Sequence, residues 1–298
     1  SEMCIRDSKR KAQSRKSREK KGKQLNFNKE TPEMQEAIRQ GRIKEWNNYK
    51  TFEAARIIPA EEAHDLMRQG YIPIDMQWID VDKNAHKAAK TTDKDTSEQI
   101  LVKNDQGKAL VKSRLVARGD QEHDKTEHRS DSPTADEAGE HLLLSWCSSV
   151  GVPVRTADVK NAYFQGMKLT RIMLMRQPRG GLPDDEVTYN PTDHSKDDYL
   201  LAQVPIYGTG DAGRGWWKKL KTVITATGMK QNRFLPAMYH LTIDEEPQVI
   251  LTTRVDDLLW GETEKGSEAM KKIREVFVFG SETVGNCRYC GTEITETD

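Results

Sequence analysis

Two adjacent carboxylates sit inside an apolar run: Val249-Ile-Leu251 precedes Asp256-Asp257, and Leu258-Leu259 follows. A carboxylate is expensive to bury unless it is paired or binds a metal. Neighbouring side chains of a regular strand point to opposite faces. Asp256 and Asp257 therefore share one site only on a turn; otherwise one is the main ligand and the other lends charge. A third acid, Asp158, ends an apolar strand expected over 152–159. Carboxylates that converge from separate strands suit Mg²⁺, which takes a few of them and leaves room for phosphate oxygens and water. The residues alone leave a plainer alternative open, an Asp-rich surface turn.

The chain has 298 residues, a soft prior for about two domains. Apolar residues make up 35% and charged residues 32%, so part of the chain is expected to be solvated. No apolar run approaches the ~20 residues of a membrane span. The zero net charge hides an asymmetry. Residues 1–30 hold eleven bases and four acids, a charge of +7; the rest holds 36 bases and 43 acids, −7. A basic arm carrying Lys9, Arg10 and Lys11 fits contact with nucleic acid or an acidic partner; it fits a solvated, disordered linker equally well. Four cysteines are too few for a disulfide scaffold, so a reducing, intracellular compartment is expected. Cys287-Arg-Tyr-Cys290 lacks a second ligand pair and is not expected to hold zinc. His123 and His128 are expected to be solvated.

Along the chain, Thr31-Pro32 reads as a helix start. Helical spacing of Met34, Ile38, Trp46, Tyr49 and Phe52 runs to about residue 56, interrupted at Gly41. A short helix is expected over 60–69, ending at Gly70, and an extended segment over 71–82. A polar loop over 83–98 leads to a hairpin of 100–103 and 109–117 around Asn104-Asp-Gln-Gly107. In its second strand Lys112 and Arg114 share one face with Leu110 and Val116. A polar loop follows over 119–135, then a helix over 136–150. Residues 180–200 read as a loop, and a helix carries Trp216 to about 227. Strands near 236–243 and 248–255 form a hairpin leading into Asp256-Asp257. A helix over 264–276 and one last strand over 287–294 complete the pattern, whose mixed order indicates α+β.

Several motifs then occur in one order: Lys112-Ser-Arg-Leu-Val-Ala-Arg-Gly119, Ser132-Pro133, Asp158-Val-Lys-Asn-Ala-Tyr-Phe164, Gln177-Pro-Arg-Gly180, Tyr207-Gly through Arg214-Gly-Trp216, Arg254-Val-Asp-Asp257 and Tyr289-Cys-Gly-Thr-Glu293. Over about residues 45–298 the chain closely resembles the reverse transcriptase of copia-type LTR retrotransposons. The corresponding patterns there are K-A-R-L-V-A-R-G, S-P, D-V-K-N-A-F, Q-P-x-G, Y-G-L-K-Q-A-P-R-x-W, Y-V-D-D and F-L-G-x-E.

The resemblance implies an α+β right-hand polymerase of palm and fingers, with a ferredoxin-like palm sheet carrying helices on one face and the thumb absent or incomplete. Residues 31–150 would form the N-terminal helices and fingers; 151–298 would form the palm, with a fingers insertion near 168–205. It implies two-metal nucleotidyl transfer of dNTPs onto a primer, on an RNA or DNA template, with two Mg²⁺ or Mn²⁺ ions. By position, Asp158, Asp256 and Asp257 would be catalytic. Asp158, Asp256 and the Val159 carbonyl would hold metal. Lys112 and Arg114 would meet the triphosphate. Tyr163 would exclude ribonucleotides, and without the resemblance it reads as a core aromatic. Asp211 and Arg214 would serve the nucleotide, and Tyr207 and Gly208 the template. Trp216 and Trp217 read first as core. The resemblance further implies a polyprotein with integrase upstream and RNase H downstream, no membrane, and a cytoplasmic virus-like particle with a nuclear phase.

Three positions depart from the family pattern: Arg254 replaces Tyr, Asp211 replaces Gln and Gly213 replaces Pro. They keep a second reading in play, a decayed remnant that only binds nucleic acid. Residues 1–8 resemble a translated sequencing adapter and are set apart, with 9–30 as the basic linker. The chain is expected to be a fragment of something longer.

Overall fold

A computed structural model describes residues 24–82, 111–123 and 130–296. In chain order its elements are helix α1 (Pro32–Thr51), strand β1 (Ala55–Ile58), α2 (Ala60–Arg68), β2 (Ile74–Asp82), β3 (Val111–Ala117), α3 (Glu137–Val150), β4 (Arg155–Val159), β5 (Leu174–Arg176), β6 (Tyr199–Ala202), α4 (Ala212–Ala226), β7 (Lys230–Gln231), β8 (Met238–Ile243), β9 (Glu246–Arg254), β10 (Asp257–Glu262), α5 (Ser267–Val276), β11 (Phe279–Val284), β12 (Cys287–Tyr289) and β13 (Thr292–Ile294). The fold is mixed α and β. It divides into two compact units. The first contains residues up to 51, 57–118 and 174–201; the second contains 52–56, 119–173 and 202–298.

In the first unit the sheet order is β1-β6-β5-β2-β3, with β2 and β5 parallel and β2 and β3 antiparallel. Helix α1 buries Met34, Ile38, Trp46 and Tyr49 on one stripe, the spacing of an amphipathic face. The helix runs unbroken through Gly41 because β3 lies against it there: a Cβ at 41 would come 2.7 Å from Ser113 Oγ. Polar ties fix this packing. Tyr49 donates its hydroxyl to the Leu115 carbonyl at 2.7 Å, and Trp46 Nε1 donates to Asp184 at 2.6 Å. The Trp46 bond is the main reason the Asp184 carboxyl is held below its usual range; Lys50 adds to it. Buried Asp80 accepts from Arg42 at 2.7 Å and from Ser113 at 2.6 Å.

In the second unit six antiparallel strands run in the order β11-β4-β10-β9-β8-β7. Alternation sorts their side chains onto two faces. Ala157, Leu258, Leu251 and Val249 pack with Trp216, Leu220 and Ile224 of α4 and with Met270 and Ile273 of α5. Leu259, Ile250 and Met238 pack with Leu143 and Cys147 of α3 and with Tyr289. Asp136 caps α3 by accepting from the Gly139 amide at 2.8 Å, and Gly151 ends it in the left-handed region.

Several expectations are corrected here. The sheet carries helices on both faces, because α3 brings its own apolar stripe to the face opposite α4 and α5. That helix, which precedes residue 151, packs in the second unit. Helix α1 stops at Thr51, and residues 55–58 are strand instead. β3 pairs with β2, from Met76↔Ala117 to Asp82↔Val111; the segment 100–103 lies outside the described residues, as do Leu110 and the loop over 83–98. The last strand is a hairpin, β12 and β13, turned at Cys290-Gly291. Among the described residues no helix is long and apolar enough to cross a membrane.

Removing one partner of a buried ion pair leaves an uncompensated charge, at a cost of about 3–5 kcal/mol. Asp80→Ala should destabilise the first unit by about that much in urea denaturation, whereas Ser113→Ala should cost about 1 kcal/mol.

Candidate active site

The three acids lie at one end of the adjoining strands β4 and β10, inside the sheet of the second unit. Asp158 and Asp257 are register partners on antiparallel strands, so their side chains leave the same face of the sheet. Asp257 also stands opposite Arg254 on β9. Between them Val255 and Asp256 form a two-residue turn. Val255 has φ +58°, a conformation that costs a β-branched residue about 1–2 kcal/mol. Two bonds hold it: Trp216 Nε1 donates to the Val255 carbonyl at 2.6 Å, and the Val159 amide donates to the Asp256 carbonyl at 2.8 Å. The turn is therefore over-determined by the core beneath it, since Trp216 is buried and packs edge-on against Phe277.

The electrostatics follow from this geometry. Burial raises the Asp257 carboxyl above its usual range, and the neighbouring charge of Asp256 adds to the rise; Cys290 and Arg254 oppose it. Cys290 Sγ lies 3.7 Å from Asp257 Oδ2, and burial raises its thiol. The Arg254 guanidinium reaches Cys290 and stands 4.0 Å from Glu140 on α3. At Asp257 these groups only partly offset burial and the charge of Asp256.

Among the described residues no group of three or more His, Cys, Asp and Glu is gathered tightly enough to hold a metal ion. A closed three-carboxylate cage is not formed. Mg²⁺ needs less, since it is commonly held by one or two carboxylates plus substrate phosphates and water. The donor set fits that demand in kind: all-oxygen ligands, a raised Asp257 and, at Gly280 beside Asp158, a cradle that a Cβ would fill.

Next to β4, a 3₁₀ turn over Ala162–Gln165 presents Tyr163 and Phe164. Both rings contact Tyr207, at centroid distances of 5.0 and 5.2 Å. Tyr163 is half-buried at the edge of the core, so the core-aromatic expectation and a surface role meet in one residue. Gly119 presses on the Tyr207–Gly208 loop so closely that a side chain at 119 would collide with the Gly208 carbonyl. Buried Glu122 accepts from the Gly210 amide at 3.1 Å. Arg171 bridges Glu122 at 3.3 Å and Asp211 at 3.1 Å. Arg214 pairs with Asp131 at 2.7 Å and covers the Trp217 ring at 4.7 Å. Asp211 and Arg214 are thus tied into the fold by intramolecular partners.

Lys112 and Arg114 belong to the first unit, exposed together on β3, while Val116 of the same strand is buried. Lys9, Arg10 and Lys11 lie outside the described residues. Sequence reasoning missed Glu140, Glu122 and Arg171, which carry no local motif. It also missed a basic and aromatic cavity of about 850 Å³ in the first unit. There Arg39 and Arg42 lie over Phe27 at 5.2 and 5.3 Å, Arg42 lies over Trp78 at 5.3 Å, and Arg179 completes the lining.

The family model described as reverse transcriptase (RNA-dependent DNA polymerase) matches residues 86–290. That is more than half of the chain, and the chain belongs to this family. Its reaction is RNA-directed DNA polymerisation, which requires a nucleic-acid template and dNTPs. A comparison with curated proteins finds no match.

Trp216→Phe deletes a donor to a buried carbonyl at a strained turn. It should cost about 1–3 kcal/mol in chemical denaturation. Val255→Gly, which relieves the positive φ, should stay within about 1 kcal/mol of the parent despite the lost apolar side chain.

Proposed function

We propose that this chain is the palm-and-fingers part of a copia-type LTR retrotransposon reverse transcriptase, extending a primer by two-metal nucleotidyl transfer. The observation that carries the reading is the pairing of Asp158 with Asp257 beside Asp256 on its strained turn. Asp158, Asp256 and the Val159 carbonyl would hold Mg²⁺ or Mn²⁺, with Asp257 as supporting charge. The chemistry such ions would supply there is a lowered pKa of the primer 3′-hydroxyl and stabilisation of charge on the phosphoryl transition state. The residues themselves orient: the turn bonded by Trp216 and Val159 fixes where the carboxylates stand, before substrate arrives.

The remaining roles divide between the units. Lys112 and Arg114, exposed side by side, suit paired contacts to triphosphate oxygens. Tyr163, braced by Tyr207, suits steric exclusion of a ribose 2′-hydroxyl. Asp211 and Arg214 act by holding the segment from Tyr207 and Gly208 to Trp216 in place. The cavity of Arg39, Arg42 and Arg179 with Phe27 and Trp78 suits a single-stranded template, because cations follow the backbone and aromatic rings stack on bases. The basic arm at Lys9, Arg10 and Lys11 would add unspecific, salt-sensitive affinity. Integrase and RNase H regions of a parent polyprotein, and assembly in a cytoplasmic virus-like particle with a nuclear phase, belong to the same proposal.

Primer extension on oligo(rA)/oligo(dT) with Mg²⁺ or Mn²⁺ tests this function. Asp158→Asn and Asp256→Asn should each abolish extension with melting temperature unchanged; extension that survives either change would sink the metal assignment. Tyr163→Ala should relax discrimination against ribonucleotides by at least about tenfold, a loss of roughly 1.4 kcal/mol of selectivity. Unchanged selectivity would return Tyr163 to a packing role.

A further inference from the structure

Strand β11 pairs with β4 through a break in register: Phe279 is the partner of Val159 and Ser281 the partner of Asp158. Gly280 is the extra residue, a bulge beside Asp158. A Cβ at 280 would lie 2.8 Å from Asp158 Oδ2, 3.6 Å from the Asp158 carbonyl oxygen and 3.8 Å from its Cγ. The three nearest atoms thus all belong to Asp158. Gly280 does not have a positive φ, so its backbone does not call for glycine. Glycine within a strand is moreover a weakening choice. What alanine cannot do here is share space with the carboxylate.

We propose that Gly280 is a positioning residue for the polymerase reaction, whose bare Cα preserves the Asp158 rotamer with which that carboxylate would meet a divalent ion. This rests on the assignment of Asp158 as an ion-holding carboxylate. Oδ2 is the far end of a side chain rather than backbone, so a methyl group at 280 is met by a turn of the carboxylate rather than by a shift of the sheet. Fold and chemistry therefore respond oppositely: the strand gains from losing a glycine, and the site loses its geometry. Misplacing a reacting or ligating group by about 1 Å costs on the order of 100-fold in rate.

The test compares the parent chain with Gly280→Ala, Gly280→Val and Asp158→Asn. It reads kcat and KM for dTTP in primer extension, Mn²⁺ binding without nucleic acid by electron paramagnetic resonance, and melting temperature. Gly280→Ala should lower kcat by about 10–100-fold, leave KM within about twofold, weaken Mn²⁺ binding and leave the melting temperature equal or higher; Gly280→Val should do more of the same. Parent-like kcat and Mn²⁺ affinity in Gly280→Ala, with Asp158→Asn inactive, would overturn the role of Gly280 alone. Activity and Mn²⁺ binding that persist in Asp158→Asn would overturn the underlying metal assignment. A fall of several degrees in the melting temperature of Gly280→Ala would make the missing side chain a packing requirement and also overturn the proposal.

Discussion

The antiparallel pairing of β4 with β10 puts two carboxylates across from each other, and much of the second unit is arranged to tolerate that. Asp158 opposite Asp257, with Asp256 one residue away, concentrates like charge in a part-buried place. Direct opposition of like charges on neighbouring strands is destabilising. The register is nevertheless enforced from the other face. Ala157 and Leu258 are paired next to the acids, and both enter the core with Trp216 and Ile273. A slip of one residue would put Leu258 on the acid face and Asp158 in that core. Apolar burial thus holds the charged edge in register.

The same core fixes the turn. Trp216 is placed by α4, whose stripe also buries Leu220 and Ile224. Its indole nitrogen reaches the Val255 carbonyl, a group that the positive φ of Val255 turns out of the ladder. Helix packing is therefore converted into backbone geometry at the acids. This is a route by which a strained residue persists: the surroundings over-determine it.

Much of this was legible in the residues, and the exceptions have physical causes. Asp158, Asp256 and Asp257 stood out because acids in apolar strands are rare; Asp256 does lie on a turn, and Asp257 opens the strand that follows it. Helices α2, α3, α4 and α5 form close to where they were expected, over 60–69, 136–150, to about 227 and over 264–276. β1 was hidden because Phe52 continues the helical spacing of α1 past its end. β11 was hidden because Ser281, Glu282 and Thr283 have no apolar alternation; its place comes from backbone pairing with β4. The hairpin at Cys290 was read as one strand since only Gly291 marks the turn. Glu122, Glu140 and Arg171 could not be found from spacing, because their partners lie far away in sequence: 49 residues separate Glu122 from Arg171.

The departures from the family pattern gain a physical account from those distant partners. Asp211 stands where the family carries an uncharged amide, and Arg171 meets it at 3.1 Å while also reaching buried Glu122. Arg254 stands where the family carries an aromatic phenol; it is exposed, reaches Cys290 and stands 4.0 Å from Glu140. Gly213 stands where the family carries proline, and Ser132 fills the space, 3.4 Å from where a Cβ would be. A part-buried charge introduced without a partner costs several kcal/mol, and a partner removes most of that cost only when its geometry is good. Asp211 has such a partner in Arg171, whereas Arg254 is exposed, needs none, and gains at most about 1 kcal/mol from its 4.0 Å approach to Glu140. The part-buried pairing of Asp211 with Arg171, which also reaches buried Glu122, is therefore what lets an anion stand at that position without an uncompensated charge.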